Sequence, residues 1–476
     1  MSPRRRPPDQ TIVIFGASGD LTSRKLVPAL YALHRDGLMP QEWKVVGYAR
    51  TPRTDDEFRS DMRSAVEQLP EFEDASWRTF APRLNYVTGT FAERKAMAHL
   101  ERELNERDAP PRRLFYCGTP PSAFEQIVRR IGEEQLQHGA SIVVEKPFGS
   151  DLASARRLNT LVHKVFSEDQ VFRIDHYLGK ETVQNILVFR FSNGMFEPIW
   201  NRRYVKSVEV TVAEADGVGH RGSFYEEAGA LRDIVQNHIL QMITILGMEP
   251  PISFDPEALR DEKAKVLAAV RPVDPAYVVR GQYDAGRVGR STVTGYRQEQ
   301  GVSARSQVET YVAMKLWVDT WRWAEVPFYV RTGKRLPRRV TEVTMSFHDA
   351  PHILFRQGRP STNYLTIRIQ PDEGIRLSFD AKSPGPDMRI TPVDMEFSYS
   401  RWFDVEPPEA YERLLRDAML GDHTLFPRAD EVERSWEVLG PALEAPPRLR
   451  RYAAGSWGPD AADALIEPGR WRLDGR

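Results

Sequence analysis

"TIVIFGASGDL" (residues 11–21) decides the architecture. Its first half is a short apolar run that ends in Gly16. Gly16 and Gly19 let backbone approach a ligand where a helix begins, with free N–H groups pointing outward. Across residues 26–33 apolar side chains recur at helical spacing. The strict dinucleotide fingerprint has three glycines, and only G-x-x-G is present here. An ordinary strand-to-helix turn therefore stays open beside a phosphate cradle.

The same alternation continues outward. "WKVVGYAR", "RLFYCG", "SIVVEKP" and "VFRID" read as strands. "TDDEFRSDMRSAVEQL", with Phe58, Met62, Ala65, Val66 and Leu69 on one face, reads as a helix, as do "PSAFEQIVRRIGEEQL" and "DLASARRLNTLVHKVF". Strands alternating with helices predict an α/β, Rossmann-like domain built on a parallel sheet. After about residue 200 the period changes to two: Val208, Val210 and Val212 in "SVEVTVAEA", then "YLTIRIQ" and "IRLSFDA" joined by the turn "PDEG". "TEVTMSF" and "MEFSYS" add strands, and a helix is expected over residues 229–246. This predicts an α+β domain with a large, mainly antiparallel sheet. The expected division is a loose arm at 1–10, the Rossmann-like domain at 11–176 and the α+β domain at 177–476.

The chain has 476 residues, 41 % of them hydrophobic and 28 % charged, with a net charge of −1. Such a balance points to no nucleic-acid or anionic-membrane partner. The single cysteine, Cys117, allows no internal disulfide and fits a cytoplasmic compartment. "MSPRRRPPDQ" has no apolar run behind it and is not a signal peptide. No segment approaches the ~20 apolar residues of a membrane span, and no metal-ligand cluster is visible.

Several residues carry candidate chemistry. Arg50, in "YAR" at the end of the second strand, stands where NAD-binding units often place an acid; a cation there suits a 2′-phosphate, with Thr51 and Arg53 to assist. Lys146, in "EKPFG", falls at the carboxyl end of a strand before a proline whose peptide is a candidate for cis. His238 lies on the apolar stripe of "AGALRDIVQNHILQMITILG", either as a satisfied core histidine or as a general base at a cleft. Asp233, five residues earlier, sits about 140° round an α-helix from it, so an orienting carboxylate has to come from elsewhere; Asp175 is the candidate, against a helix N-cap role. In "RIDHYLGKE" a helical start would turn His176, Tyr177 and Lys180 toward one spot, a phosphate grip or a solvated helix front. "VRTGKRLPRR" gathers Arg331, Lys334, Arg335, Arg338 and Arg339, read as a second grip on an anionic or polyhydroxy ligand.

Seven motifs in order, "GASGDL", "GYAR", "EKPFG", "RIDHYLGKE", "RDIVQNHILQ", "VPFYVRTGKR" and "IRIQPDEG", resemble the glucose-6-phosphate dehydrogenase family over nearly the whole chain. The resemblance implies oxidation of D-glucose 6-phosphate at C1 to the 1,5-lactone with reduction of NADP, the first oxidative step of the pentose phosphate pathway. It implies His238 as base and Asp175 as its orienting carboxylate. It implies His176, Tyr177 and Lys180 on the phosphate, and Lys146, Glu214, Asp233 and Lys334 on the sugar, with Gln370 nearby. It places Gly16, Ser18, Gly19, Arg50 and Lys146 at the coenzyme, and a homodimer or homotetramer through the large sheet. Animal relatives hold a second, structural NADP partly through a lysine after "RTGK"; Val340 stands at that position here, which speaks against such a site. The alternatives are a paralogue acting on another sugar and a silent NADP-binding partner.

Overall fold

Apolar β-branched and aromatic runs dictate the first sheet, including one, Leu84–Thr88, that the sequence reading does not mark. In the computed structural model, which describes residues 5–91, 95–107, 109–351, 360–403, 408–467 and 469–473, these runs become β1 (Gln10–Phe15), β2 (Trp43–Ala49), β3 (Leu84–Thr88), β4 (Arg113–Cys117), β5 (Ala140–Val144) and β6 (Val171–Arg173). They pair in parallel in the order β3-β2-β1-β4-β5-β6. The chain reverses direction across the sheet at β1 and β4, the place where open α/β sheets bind ligands. β1 is buried throughout, as a strand covered on both faces requires. Thr54 and Glu57 close a capping box on the helix Asp55–Val66, which buries Phe58, Met62 and Val66; Ala65 and Leu69 are only half-buried.

The second sheet is built of β7 (Val205–Ala213), β8 (Val278–Asp284), β11 (Tyr311–Trp317), β12 (Pro327–Gly333), β13 (Val340–Phe347), β14 (Tyr364–Gln370), β15 (Gly374–Lys382), β16 (Ile390–Ser398) and β17 (Leu449–Ala453). A small hairpin of β9 (Gly286–Val288) and β10 (Ser291–Val293) stands apart from it. Among the described residues the large sheet has nine strands, ordered β16-β15-β14-β13-β7-β12-β11-β8-β17. It is mostly antiparallel; β7–β12 and β8–β17 run parallel. The alternation in β7 predicts one wet face. Instead Glu209 and Thr211 are as buried as Val208, Val210 and Val212. The C-terminal segment covers that face: the Arg472 N–H donates to Glu209 Oε2 at 2.8 Å.

Contacts divide the chain into two units. The first holds Met1–Gly179, Ile252–Arg260 and Pro408–Glu433; the second holds Lys180–Pro251, Asp261–Pro407 and Arg434–Arg476. The sequence reading puts all of 177–476 in one domain, whereas two later segments pack with the first unit. Their apolar faces explain this: Leu414, Leu415, Ala418 and Met419 are buried, and Gln10 Nε2 donates to the Met419 carbonyl at 3.1 Å. Of the expected arm, residues 1–4 lie outside the described residues, Pro7 is buried, and Gln10 already belongs to β1.

Candidate active site

In the first unit, β1 ends at a tight turn. Gly16 has φ +83°, and its N–H donates to the Tyr48 carbonyl of β2 at 2.9 Å. A Cβ there would lie 2.5 Å from the Gly118 carbonyl oxygen, so only glycine fits. Ser18 and Gly19 are exposed, and the Gly19 N–H returns to the Gly16 carbonyl at 2.9 Å. Beside the turn, Thr119 Oγ1 is buried with no hydrogen-bond partner among the described residues. The helix that follows opens with a π-helical turn, Thr22–Leu26, closed by the Val27 N–H on the Thr22 carbonyl. Arg50 is exposed just past β2. Arg53 pairs with Asp61 at 2.7 Å, and the Thr51 carbonyl accepts the Tyr86 hydroxyl at 2.8 Å.

Lys146 follows β5, and its peptide to Pro147 is cis. Glu145, which sequence reasoning passes over, accepts hydrogen bonds from the Tyr116 hydroxyl (2.5 Å) and the Tyr411 hydroxyl (3.1 Å). Burial pushes its pKa up, against these bonds and the charge of Lys146. The residue before the binding candidate Lys146 is thus fixed by two phenols. A signal existed: an acid inside "EKPFG", between a buried strand and a fixed proline.

Residues 176–179 form a turn, not the helical start expected from the i, i+4 spacing. Asp175 is 1 % exposed; its Oδ1 accepts the Tyr177 N–H at 3.0 Å, and its carbonyl accepts the Leu178 N–H. Asp175 therefore caps a turn rather than a helix. His176 is half-buried, with its ring 5.1 Å from Tyr177 and 6.4 Å from Tyr411. Tyr177 is buried. Two residues before Asp175, buried Arg173 donates to Glu168 (2.7 Å) and Asn159 (3.0 Å). Burial works to raise the Glu168 pKa, yet Arg173, His163 and the Ala429 N–H together hold it low. A charged residue inside an apolar strand signals such a partner, and it anchors the stretch that carries Asp175.

In the second unit, Lys180 is extended and directly precedes the helix Glu181–Phe191. Its Nζ donates to Gln370 Oε1 at 2.5 Å, and Gln370 Nε2 donates to Thr341 Oγ1 at 2.9 Å. Two candidate residues predicted from separate motifs are thereby joined. Burial raises the pKa of nearby Glu373, with Lys180 and Thr182 opposing.

The expected helix over residues 229–246 is broken at its start. Gly229 has φ +65° and ψ 175°, and a Cβ there would lie 2.5 Å from Glu309 Oε1. Glu309 caps the new helix: its carbonyl accepts the Ala230 N–H and its carboxylate the Leu231 N–H. Residues Leu231–Ile239 are π-helical, and the Leu240 N–H reaches the Val235 carbonyl five residues back. The α-helical offset between Asp233 and His238 therefore does not hold; an i→i+5 repeat brings residues five apart toward one face. Both are buried, Asp233 at 7 % and His238 at 0 % exposure. The His238 N–H donates to Asn237 Oδ1 at 2.7 Å, and the Asn237 amide donates to the Arg232 carbonyl.

The basic run after β12 does not act as one cluster. Arg331 is still within the strand, buried, with Nε donating to Thr211 Oγ1 at 3.0 Å and its guanidinium 5.0 Å from Trp457 and 4.6 Å from Trp471. Arg335 turns away to Glu299, and Arg339 donates to Gln370 at 3.3 Å. Lys334 forms an ion pair with Glu214 at 2.6 Å. Its N–H donates to the Thr310 carbonyl, and its carbonyl accepts the Tyr452 hydroxyl at 2.6 Å. Val340 packs in the core cluster with Tyr311 and Tyr452. Among the described residues no group of three or more His, Cys, Asp or Glu could hold a metal ion.

Residues 13–185 match the family "Glucose-6-phosphate dehydrogenase, NAD binding domain", and residues 187–472 match "Glucose-6-phosphate dehydrogenase, C-terminal domain". The chain is 46 % identical to glucose-6-phosphate 1-dehydrogenase of Aggregatibacter actinomycetemcomitans, over 97 % of both chains. It is 43 % identical to that of Chlamydia muridarum, over 98 % of this chain and 97 % of the relative. A solved glucose-6-phosphate dehydrogenase in complex with glucose 6-phosphate superposes with a TM-score of 0.90 at 36 % identity, covering 98 % of this chain and 99 % of that one.

Proposed function

The chain belongs to the glucose-6-phosphate dehydrogenase family, and from that premise we infer how its residues divide the work. The activity is oxidation of D-glucose 6-phosphate at C1 to 6-phospho-D-glucono-1,5-lactone, with NADP reduced to NADPH. NADP supplies the hydride acceptor when bound. The turn at Gly16, Ser18 and Gly19 suits its pyrophosphate, and exposed Arg50 suits its 2′-phosphate.

His238 takes the proton of the C1 hydroxyl, with Asp175 as the carboxylate that keeps its tautomer. His176, Tyr177 and Lys180 hold the phosphate. Glu214, Asp233, Lys334 and Gln370 hold the sugar, and Lys146 serves sugar and coenzyme. The observation that carries the choice of base is the complete burial of His238 on a π-helical segment: dry surroundings and a fixed backbone keep an imidazole aimed. The test is NADPH formation at 340 nm with glucose 6-phosphate, against unphosphorylated glucose and other hexose phosphates, with NADP and NAD in turn. Absence of turnover with glucose 6-phosphate would sink the reading.

A homodimer or homotetramer through the large sheet is supported by the edge strand β16 and its neighbours, which leave Met388, Val393, Met395, Trp402 and Phe403 exposed. Light scattering behind size exclusion tests it; a monomer at micromolar concentration would contradict it. Among the described residues no helix is long and apolar enough to cross a membrane. A cytoplasmic location is supported by the lone, buried Cys117 and is tested by cell fractionation.

A further inference from the structure

Lys334 is 3 % exposed, so its ammonium has lost nearly all of its water. A buried cation has to be compensated on every side. Glu214 does so on one side, at 2.6 Å, and Glu214 is itself about a third exposed. The Thr310 carbonyl and the Tyr452 hydroxyl fix the Lys334 backbone and leave the ammonium to its surroundings. The other wall is the ring of Tyr225, whose centroid lies 5.1 Å from Nζ. Tyr225 is 1 % exposed, within the helix Gly222–Ala230, and packs edge-on against Tyr296 at 6.1 Å. An aromatic face attracts an ammonium by its quadrupole and donates nothing that competes for its N–H groups.

We propose that Tyr225 is a positioning residue for substrate recognition: its ring face, not its hydroxyl, backs the Lys334 ammonium and turns its N–H groups toward the Glu214 side, where the sugar hydroxyls dock. This rests on the reading of Lys334 and Glu214 as sugar contacts. The carboxylates of Asp233, Glu214 and Glu309 all bear on the Tyr225 phenol. With burial the larger cause, they push its pKa well above the ordinary tyrosine value. The side chain therefore stays neutral, as a ring that holds a cation by its face requires. The charges of two further residues assigned to the sugar, Asp233 and Glu214, thus reach the ring that faces Lys334.

Loss of the ring should raise KM for glucose 6-phosphate about fivefold in Tyr225→Leu. kcat and KM for NADP should stay within about twofold, because the proposed action of the ring is confined to Lys334. Tyr225→Phe should rescue KM. Should the leucine variant misfold, phenylalanines bearing one, two and three ring fluorines at position 225 replace it. They are nearly isosteric and weaken the ring quadrupole stepwise, so KM for glucose 6-phosphate should climb with each fluorine. In a Lys334→Gln background the fluorines should have no effect. Equal losses in the leucine and phenylalanine variants, or a flat response to fluorine while Lys334→Gln raises KM, would overturn the role of Tyr225 alone. If Lys334→Gln leaves KM unchanged, the sugar role of Lys334 falls, and this inference falls with it.

Discussion

Residues 173–180 and residues 231–239 each set an aspartate near a histidine in sequence, and they use the pair differently. In the first, Asp175 and His176 are adjacent in a turn. The carboxylate is buried and takes the Tyr177 N–H, while the imidazole is half-buried against Tyr177 and Tyr411. In the second, Asp233 and His238 are five apart in a π-helix and both are buried. Neighbours along a turn diverge; residues five apart in a π-helix converge. On the proposed reading the half-buried His176 serves the phosphate and the fully buried His238 serves as base. The proposed working pair is therefore not the adjacent one, and the two histidines differ in burial.

The contrast breaks most readily at the two histidines. His238→Asn should lower kcat by about 10²–10⁴-fold while glucose 6-phosphate binding, followed by calorimetry, stays within a few-fold. His176→Asn should do the reverse, raising KM with kcat nearly kept. The same kinetic pattern in both variants would end the distinction. Lys180→Ala comes next: KM for glucose 6-phosphate should rise about 10–100-fold, with no change for unphosphorylated glucose as a slow substrate. A pure kcat defect would remove Lys180 from the grip. Arg50→Ala should weaken NADP roughly tenfold and leave NAD alone; equal losses with both coenzymes would remove the 2′-phosphate contact.

The smallest effect asks whether burial alone makes a base. Glu209 is buried in β7, and burial lifts its pKa to about 7, against the Arg472 N–H and Arg331. Glu209→Gln should leave kcat within about twofold, since no role at the sugar falls to it. Because its folded pKa lies above the ordinary carboxylate value, its contribution to stability is fully present below that value. The contribution is lost as pH rises through 7, at most about 3 kcal/mol. The unaltered protein should therefore lose roughly 5 °C of melting temperature relative to the glutamine variant between pH 4.5 and 8. Parallel pH profiles would contradict the shift.

The two-sheet architecture was readable because burial writes its period into the residues: continuous apolar runs in β1 and β5, alternation in β14 and β15. The turn after β1 is readable as a turn because only glycine tolerates the φ of residue 16. Other features left weaker marks. A π-helix has no compositional signature, so α-helical spacing misplaces Asp233 relative to His238. The break at Gly229 depends on Glu309, some eighty residues away, and no local pattern announces it. The basic run after β12 looked like one patch because composition ignores side-chain direction; Arg331 goes between two tryptophans and Lys334 to Glu214. The wet face expected of β7 is covered by a segment at the far end of the chain.

The return of Pro408–Glu433 to the first unit has a consequence for how the chain is made. At about 5–20 residues per second, that segment leaves the ribosome roughly 10–50 s after residue 179. Until then the Gln10 amide, the Lys25 ammonium and the Glu145 carboxylate lack their contacts with Met419, Glu409 and Tyr411. The apolar surface later met by Leu414, Leu415, Ala418 and Met419 is uncovered for the same interval. The nucleotide-binding part is synthesised first and completed late, so its apolar face waits for a segment made more than two hundred residues later.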